Sequence, residues 1–249
     1  MDFSFGKLDA VPVAGTESYL KAYNIYNEVS IKSITLKSGN RQDGGTWKAV
    51  EIVFACKEGI HNEMMFLPDH TNKKDTERPQ FDSSNGGKTF APSACENFVS
   101  RVMNIVNIFA PTVYDKFRET YTKCKSFDDV ANIFIKVIEA NKGKVTTSMK
   151  LVGKKGKDKN GNERINRALP KPLGIMQKSG TVGDKEEDWE TFSIRCFGDN
   201  LTFTPYELGQ KEKYENAKPT DMSKVDDSLG VDTPEEVTTD IDLSALAGL

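Results

Sequence analysis

The sequence predicts an α+β fold: three strands, a helical insert, two further strands and a disordered acidic tail. Three observations carry this expectation. Apolar residues alternate with a period of two between Trp47 and Cys56, as in a half-buried strand. Between Ser93 and Ala140 they recur at helical spacing behind two capping boxes, Ser93-x-x-Glu96 and Ser126-x-x-Asp129. Beyond Tyr214 aromatic residues cease, and Pro, Ser, Thr, Gly and acids dominate to Asp240.

Each element has its own signal. Residues 28–37 are rich in β-branched side chains (Val29, Ile31, Ile34, Thr35), but the apolar phase slips at Lys32–Ser33, which predicts a bulge. Asp43-Gly44-Gly45 marks a turn. In 46–56, Val50, Ile52 and Phe54 share one face, and Trp47, Ala49, Glu51 and Val53 the other. His61–Leu67 predicts a short third strand, and polar Pro68–Lys88 a mobile loop. Phe98, Val102, Ile105, Val106 and Phe109 then mark one helix, Val113, Phe117 and Tyr121 a short second, and Val130, Ile133, Phe134, Val137 and Ile138 a third. Asn141–Gly143 ends the third as helices commonly end. Alternation over 144–151 and again over 191–197 predicts the last two strands, with Leu201 and Phe203 extending the final one or returning as a hairpin.

Strand order with a helix between the third and fourth strands is that of a five-stranded oligonucleotide-binding (OB) type β-barrel. The expected division is residues 1–208 as this binding domain and 209–249 as the tail. The tail carries eight acids from Asp221 onward against one base, Lys224, and ends in an apolar cluster with Ile241, Leu243, Leu246 and Leu249. That cluster is either a docking peptide for a partner or a frayed end with chance leucines.

The chain has 249 residues, a formal net charge of −3 and 37% hydrophobic residues. No apolar run approaches the roughly 18–20 residues that span a bilayer, and Met1–Gly6 lacks the order of a secretory signal. The four widely spaced cysteines (Cys56, Cys95, Cys124, Cys196) form no CxxC pair and are expected to be reduced thiols. A cytoplasmic protein is expected.

Enzyme signals fail one by one. Gly86-Gly87-Lys88-Thr89 resembles the end of a phosphate-binding loop, but Asp82 stands where that motif needs its first glycine. Cys56, His61, His70 and Cys95 have no recognised zinc spacing. No nucleophile elbow occurs, and Asp128-Asp129 fits a helix start better than a metal site. No enzyme activity, cofactor or metal is expected.

The near-neutral total hides an asymmetry. From Asn141 to Gly180 eleven Lys and Arg face only Asp158 and Glu163. That imbalance points to a polyanionic partner. Lys154, Lys155, Lys157 and Lys159 form a Gly-interrupted hairpin tip or flexible arm, continued by Arg164 and Arg167, whose charges can neutralise phosphates. If Val50, Ile52 and Phe54 face the core, Trp47, Phe197, Arg195, Lys144 and Lys150 turn outward as a stacking platform in a basic groove. The alternative for Trp47 and Phe197 is packing beneath the helical insert or the 68–88 loop.

A basic strand and loop, aromatic-bearing strands and an acidic tail with an apolar tip together resemble the single-stranded DNA-binding proteins of bacteriophage replication systems. The resemblance covers most of the chain. It implies an OB barrel that coats single strands without sequence preference during replication, recombination and repair, in the bacterial host cytoplasm if phage-encoded. It also implies recruitment of replication and recombination proteins through the tail. Two departures stand out. The chain ends in Leu249 rather than an aromatic residue, and the insert is larger than a minimal barrel needs, which is compatible with a homo-oligomer or a protein-binding surface. One alternative is an RNA-binding or annealing protein, because no feature senses a 2′-hydroxyl; another is an assembly adaptor without a nucleic-acid role, whose acidic tail only keeps it soluble.

Overall fold

The computed structural model describes residues 18–40, 44–82, 88–157, 163–170, 175–177, 189–191 and 195–216. Three antiparallel strands open the fold: β1 (Asn24–Asn40), β2 (Thr46–Cys56) and β3 (Gly59–Phe66). β1 is seventeen residues long and bends at two irregularities. Its register with β2 slips between Ile31 and Ser33, where the sequence places a bulge. A second slip lies between Tyr26 and Val29, beside Glu28 at φ 54°. The bends allow one strand to pair with two others. Ser30–Asn40 is laddered to β2, and Asn24–Val29 to the later strand β6 (Thr147–Lys157).

Polar residues 68–90 contain the single-turn helix α1 (Lys73–Thr76) and two short strands, β4 (Gln80–Asp82) and β5 (Lys88–Phe90). The helical layer follows. It comprises α2 (Ala94–Phe109), a 3-10 turn at Pro111–Val113, α3 (Tyr114–Tyr121) and α4 (Phe127–Asn141). Both predicted capping boxes form: Ser93 with Glu96, and Ser126 with Asp129. Loss of such a cap typically costs about 1 kcal/mol. Glu96 also binds the Arg78 guanidinium, which fastens α2 to the preceding segment. After α4, Gly143 takes φ 72°, the left-handed conformation that commonly follows a helix end.

The apolar faces of α2 and α4 cover one face of the sheet. Phe98, Val102, Ile105, Val106 and Phe109 meet Val130, Ile133, Phe134, Val137 and Ile138 above Val29, Ile31, Val50, Ile52 and Phe54, all buried in one core. The predicted phase of β2 is therefore the observed one.

β6 turns back as β7 (Glu163–Ala168), antiparallel to its second half. The main sheet has the order β3-β2-β1-β6-β7, and among the described residues it is open, because the edge strands β3 and β7 share no ladder. The expected barrel closure is thus not seen. Side chains bridge those edges instead. Glu63 of β3 accepts from the Leu169 amide at 3.3 Å and pairs with Arg101 of α2 at 3.4 Å. Arg101 in turn donates to the Leu169 and Pro170 carbonyls.

Two expected elements are replaced. The 68–88 loop contributes β4 and β5 to a second, four-stranded antiparallel sheet, completed by β8 (Ile175–Gln177) and β9 (Trp189–Thr191). The predicted final strand over 191–197 is divided. Thr191 ends β9, and Phe197 forms an isolated bridge to Met149. The main sheet's fifth strand is β7, in the stretch read as a basic arm.

The expected boundary at 208/209 lies within helix α5 (Pro205–Asn216). Thr204 and Glu207 exchange side chain–backbone hydrogen bonds at 3.2 and 2.7 Å, a capping box ahead of Pro205. Among the described residues no helix is long and apolar enough to cross a membrane. Residues 217–249, with Ile241, Leu243, Leu246 and Leu249, lie outside the described residues.

Candidate nucleic-acid interface

The β6–β7 hairpin gathers the basic residues. Its register sets Gly153 opposite Arg167, Lys154 opposite Asn166, Lys155 opposite Ile165 and Gly156 opposite Arg164. Lys154 and Lys155 are exposed and, as strand neighbours, point to opposite faces. The glycines admit close neighbours. A Cβ on Gly153 would lie 2.5 Å from Tyr23 Cε2 and 2.6 Å from Ile165 Cγ2, and one on Gly156 would meet the Asn166 amide.

Tyr23 reaches that position through a left-handed backbone, φ 56°, which a bulky residue rarely adopts. Its hydroxyl donates to the Gly153 carbonyl at 3.4 Å, and its ring lies 5.5 Å from that of Tyr214 on α5. Burial pushes the Tyr23 phenol above its usual pKa.

Arg167 stacks on Tyr19, its guanidinium carbon 4.0 Å from the ring centroid. Its Nε is buried without a hydrogen-bond partner among the described residues. Burial lowers its pKa, against the opposing influence of Tyr19 and Tyr26. The hairpin thus joins Lys154, Lys155 and Arg167 to Tyr19, Tyr23 and Tyr214. Sequence reading found the bases but not the tyrosines. The signal for them was Gly153, since a glycine inside a strand marks a close approach by something else.

Two expected outward residues point inward. Lys150 is 2% exposed, and its Nζ donates to Glu207 Oε2 at 2.8 Å and to the Thr202 carbonyl at 2.9 Å. Residues 195–208 cover that side of β6, so alternation alone assigned the wrong environment. Phe197 is 5% exposed, with ring centroids 5.4 Å from both Phe54 and Phe109. The Cys196–Gly198 segment bends, with Gly198 at φ 114°, and so Cys196 and Phe197 are buried together. The Cys196 thiol lies 3.3 Å from the Pro170 carbonyl, and burial pushes its pKa up to about 11. All four cysteines are free thiols.

Trp47 lies on the sheet face away from the helices, half-buried, with its ring centroid 5.6 Å from that of exposed Phe66 at 66°. The indole covers Gly39 across the strand pair, where a Cβ would be 2.7 Å from Trp47 Cζ2. It turns outward, as the phase of β2 implies, but its neighbours are on β1 and β3 rather than in a basic groove. Lys144 is exposed after α4, with Nζ 3.4 Å from Asn141 Oδ1, and Arg195 is exposed beside Cys196. Lys157 and Arg164 are described by their backbone alone, and Lys159 lies outside the described residues. Trp47, Phe197 and Lys150 therefore do not form one surface with the basic hairpin.

His61 is fully buried on β3, its Nε2 3.0 Å from Glu63 Oε2. Burial opposes ionisation of Glu63, but His61, Arg101 and the Leu169 amide outweigh it and hold the carboxyl below its usual pKa. Among the described residues no group of three or more His, Cys, Asp and Glu is placed to hold a metal ion. No family model, curated protein or solved structure matches the chain.

Proposed function

We propose that the chain is a non-enzymatic single-stranded DNA-binding protein, which coats single strands without sequence preference during replication, recombination and repair. The observation that carries the reading is the β6–β7 hairpin, where exposed Lys154 and Lys155 and the stacked Arg167 adjoin the half-buried rings of Tyr19 and Tyr214, with buried Tyr23 packed between the hairpin and Tyr214. Cations placed this way neutralise phosphates, and aromatic faces accept bases at roughly 1–3 kcal/mol each, a combination indifferent to sequence. The excess of bases in 141–180 supports the same reading. So does the sharing of bent β1 between β2 and β6, an arrangement compatible with an OB-type barrel opened at the β3/β7 edge. The acidic tail with Ile241, Leu243, Leu246 and Leu249 is the proposed recruiter of replication and recombination proteins.

The test is fluorescence anisotropy of the full chain against labelled poly-dT, the corresponding RNA and duplex DNA across a salt series. Tight, salt-sensitive preference for single-stranded DNA is expected. Lys155→Ala, on the hairpin face that carries Arg167, should lower the salt slope by about 0.7, the value of one phosphate contact. Preference for RNA would favour the annealing alternative. No binding at any salt would leave an assembly adaptor as the better reading.

A further inference from the structure

We infer that a cleft between α2 and the Arg195–Gly198 segment is a subsite for one nucleotide of the bound strand, with its phosphate at Arg195 and its base at Asn104, Asn107 and Tyr114. The inference rests on the single-strand reading above and extends it away from the hairpin. The cleft has a volume of about 430 Å³, with Met103 and Ile108 in its wall. That size lies within the range of small-ligand sites, about 300–1,000 Å³.

Its chemistry is specific in class. Asn104 and Asn107 lie one turn apart on the exposed face of α2, and Arg195 faces them across the cleft. None of these three side chains makes a hydrogen bond or ion pair among the described residues, so three polar groups line one concavity without partners. A carboxamide both donates and accepts, and thus can meet the edge of any base. The guanidinium suits a phosphate, and among the described residues no acidic one lines the cleft to oppose it. Tyr114 adds an aromatic face, with the Arg118 guanidinium carbon 5.7 Å from its ring centroid.

The cleft is also joined to the proposed interface. Phe197 bridges Met149, and Gly198 donates to the Ser148 carbonyl, so its rim is fastened to β6, the strand that carries Lys154 and Lys155. Ser148 and Lys155 are seven residues apart, about 23 Å along a strand. A bound strand of about 4–16 nucleotides can reach both.

Anisotropy titrations with a labelled oligo-dT of about 16 nucleotides, over a salt series, test the subsite in the full chain. Arg195→Ala should weaken binding and lower the salt slope by about 0.7. Asn104→Ala with Asn107→Ala should weaken binding with the slope unchanged. Tyr114→Ala should cost about tenfold in affinity. Circular dichroism melts matching wild type exclude misfolding, and Lys154→Ala with Lys155→Ala is the hairpin control. Binding that falls in the hairpin variant but not in the cleft variants overturns the subsite and leaves the single-strand reading standing. Equal slope changes in the Arg195 and Asn variants overturn the assigned roles. Absence of wild-type binding overturns both inferences.

Discussion

Lys150 Nζ lies 2.8 Å from Glu207 Oε2, and the two residues are only 2% and 7% exposed. This ion pair joins β6 to the first turn of α5. Glu207 also accepts from the Thr204 amide, so one carboxylate closes the helix cap and neutralises the buried lysine. Removing one partner leaves a charge in a dry site, which typically costs about 3–5 kcal/mol. Lys150→Met and Glu207→Gln should each lower the unfolding free energy extrapolated from urea denaturation by that order. The double variant Lys150→Met with Glu207→Met should recover most of the loss, and a double variant as unstable as the singles would refute the pairing.

The Glu63 cluster gives a pH dependence with a definite sign. Its folded pKa lies below the ordinary glutamate value of 4.5, so its contribution is present above that value and is lost as pH falls through the folded pKa. Urea titrations from about pH 6 to about pH 3 should show wild-type stability declining. The decline should be shallower for Glu63→Gln, which has no proton to take up at that site. Parallel curves would remove Glu63 from the acid response.

Gly153→Ala should destabilise the hairpin. The added methyl meets both Tyr23 and Ile165, and overpacking of this kind costs about 1–3 kcal/mol. The loss should shrink in a Tyr23→Ala background, since the two sites share one contact. Equilibrium denaturation of the four-member cycle measures that coupling. Strict additivity would mean that the Tyr23 ring does not sit on Gly153.

Cys196 should be the slowest thiol to react under native conditions. With a pKa of about 11, it is thiolate at only roughly one part in a thousand at pH 8, and it is buried besides. Cys56, Cys95 and Cys124 are half-buried. Timed alkylation with mass spectrometry should label Cys196 last, and early labelling would show that the 195–198 segment opens readily.

What the sequence disclosed was what local periodicity and caps can carry. Val50, Ile52 and Phe54 alternate because β2 is an inner strand and one of its faces meets the helices. Ser93 and Ser126 announce α2 and α4 because a cap is a contact within one turn. The edge strand β7 stayed hidden, since Glu163–Ala168 has only Ile165 as a strong strand former and its partner lies across a basic loop. Helix α5 was missed because its polar composition blends into the tail, although Thr204 and Glu207 form its capping box. Lys150 and Phe197 were misplaced for one reason. Both environments depend on the 195–208 segment folding over β6, a long-range contact that no two-residue period encodes.

The double role of β1 has a consequence for how the chain is made. Asn24 pairs with Leu151, 127 residues later, while Asn40 pairs with Thr46 almost at once. As the chain leaves the ribosome, the β1–β2–β3 meander can close early, but the first third of β1 waits until β6 emerges. During that interval its unpaired backbone groups form a sticky margin on a nascent, half-built sheet. The helical layer is synthesised within this gap. By covering the apolar face of the meander, it can shield the incomplete sheet from self-association before its last two strands arrive.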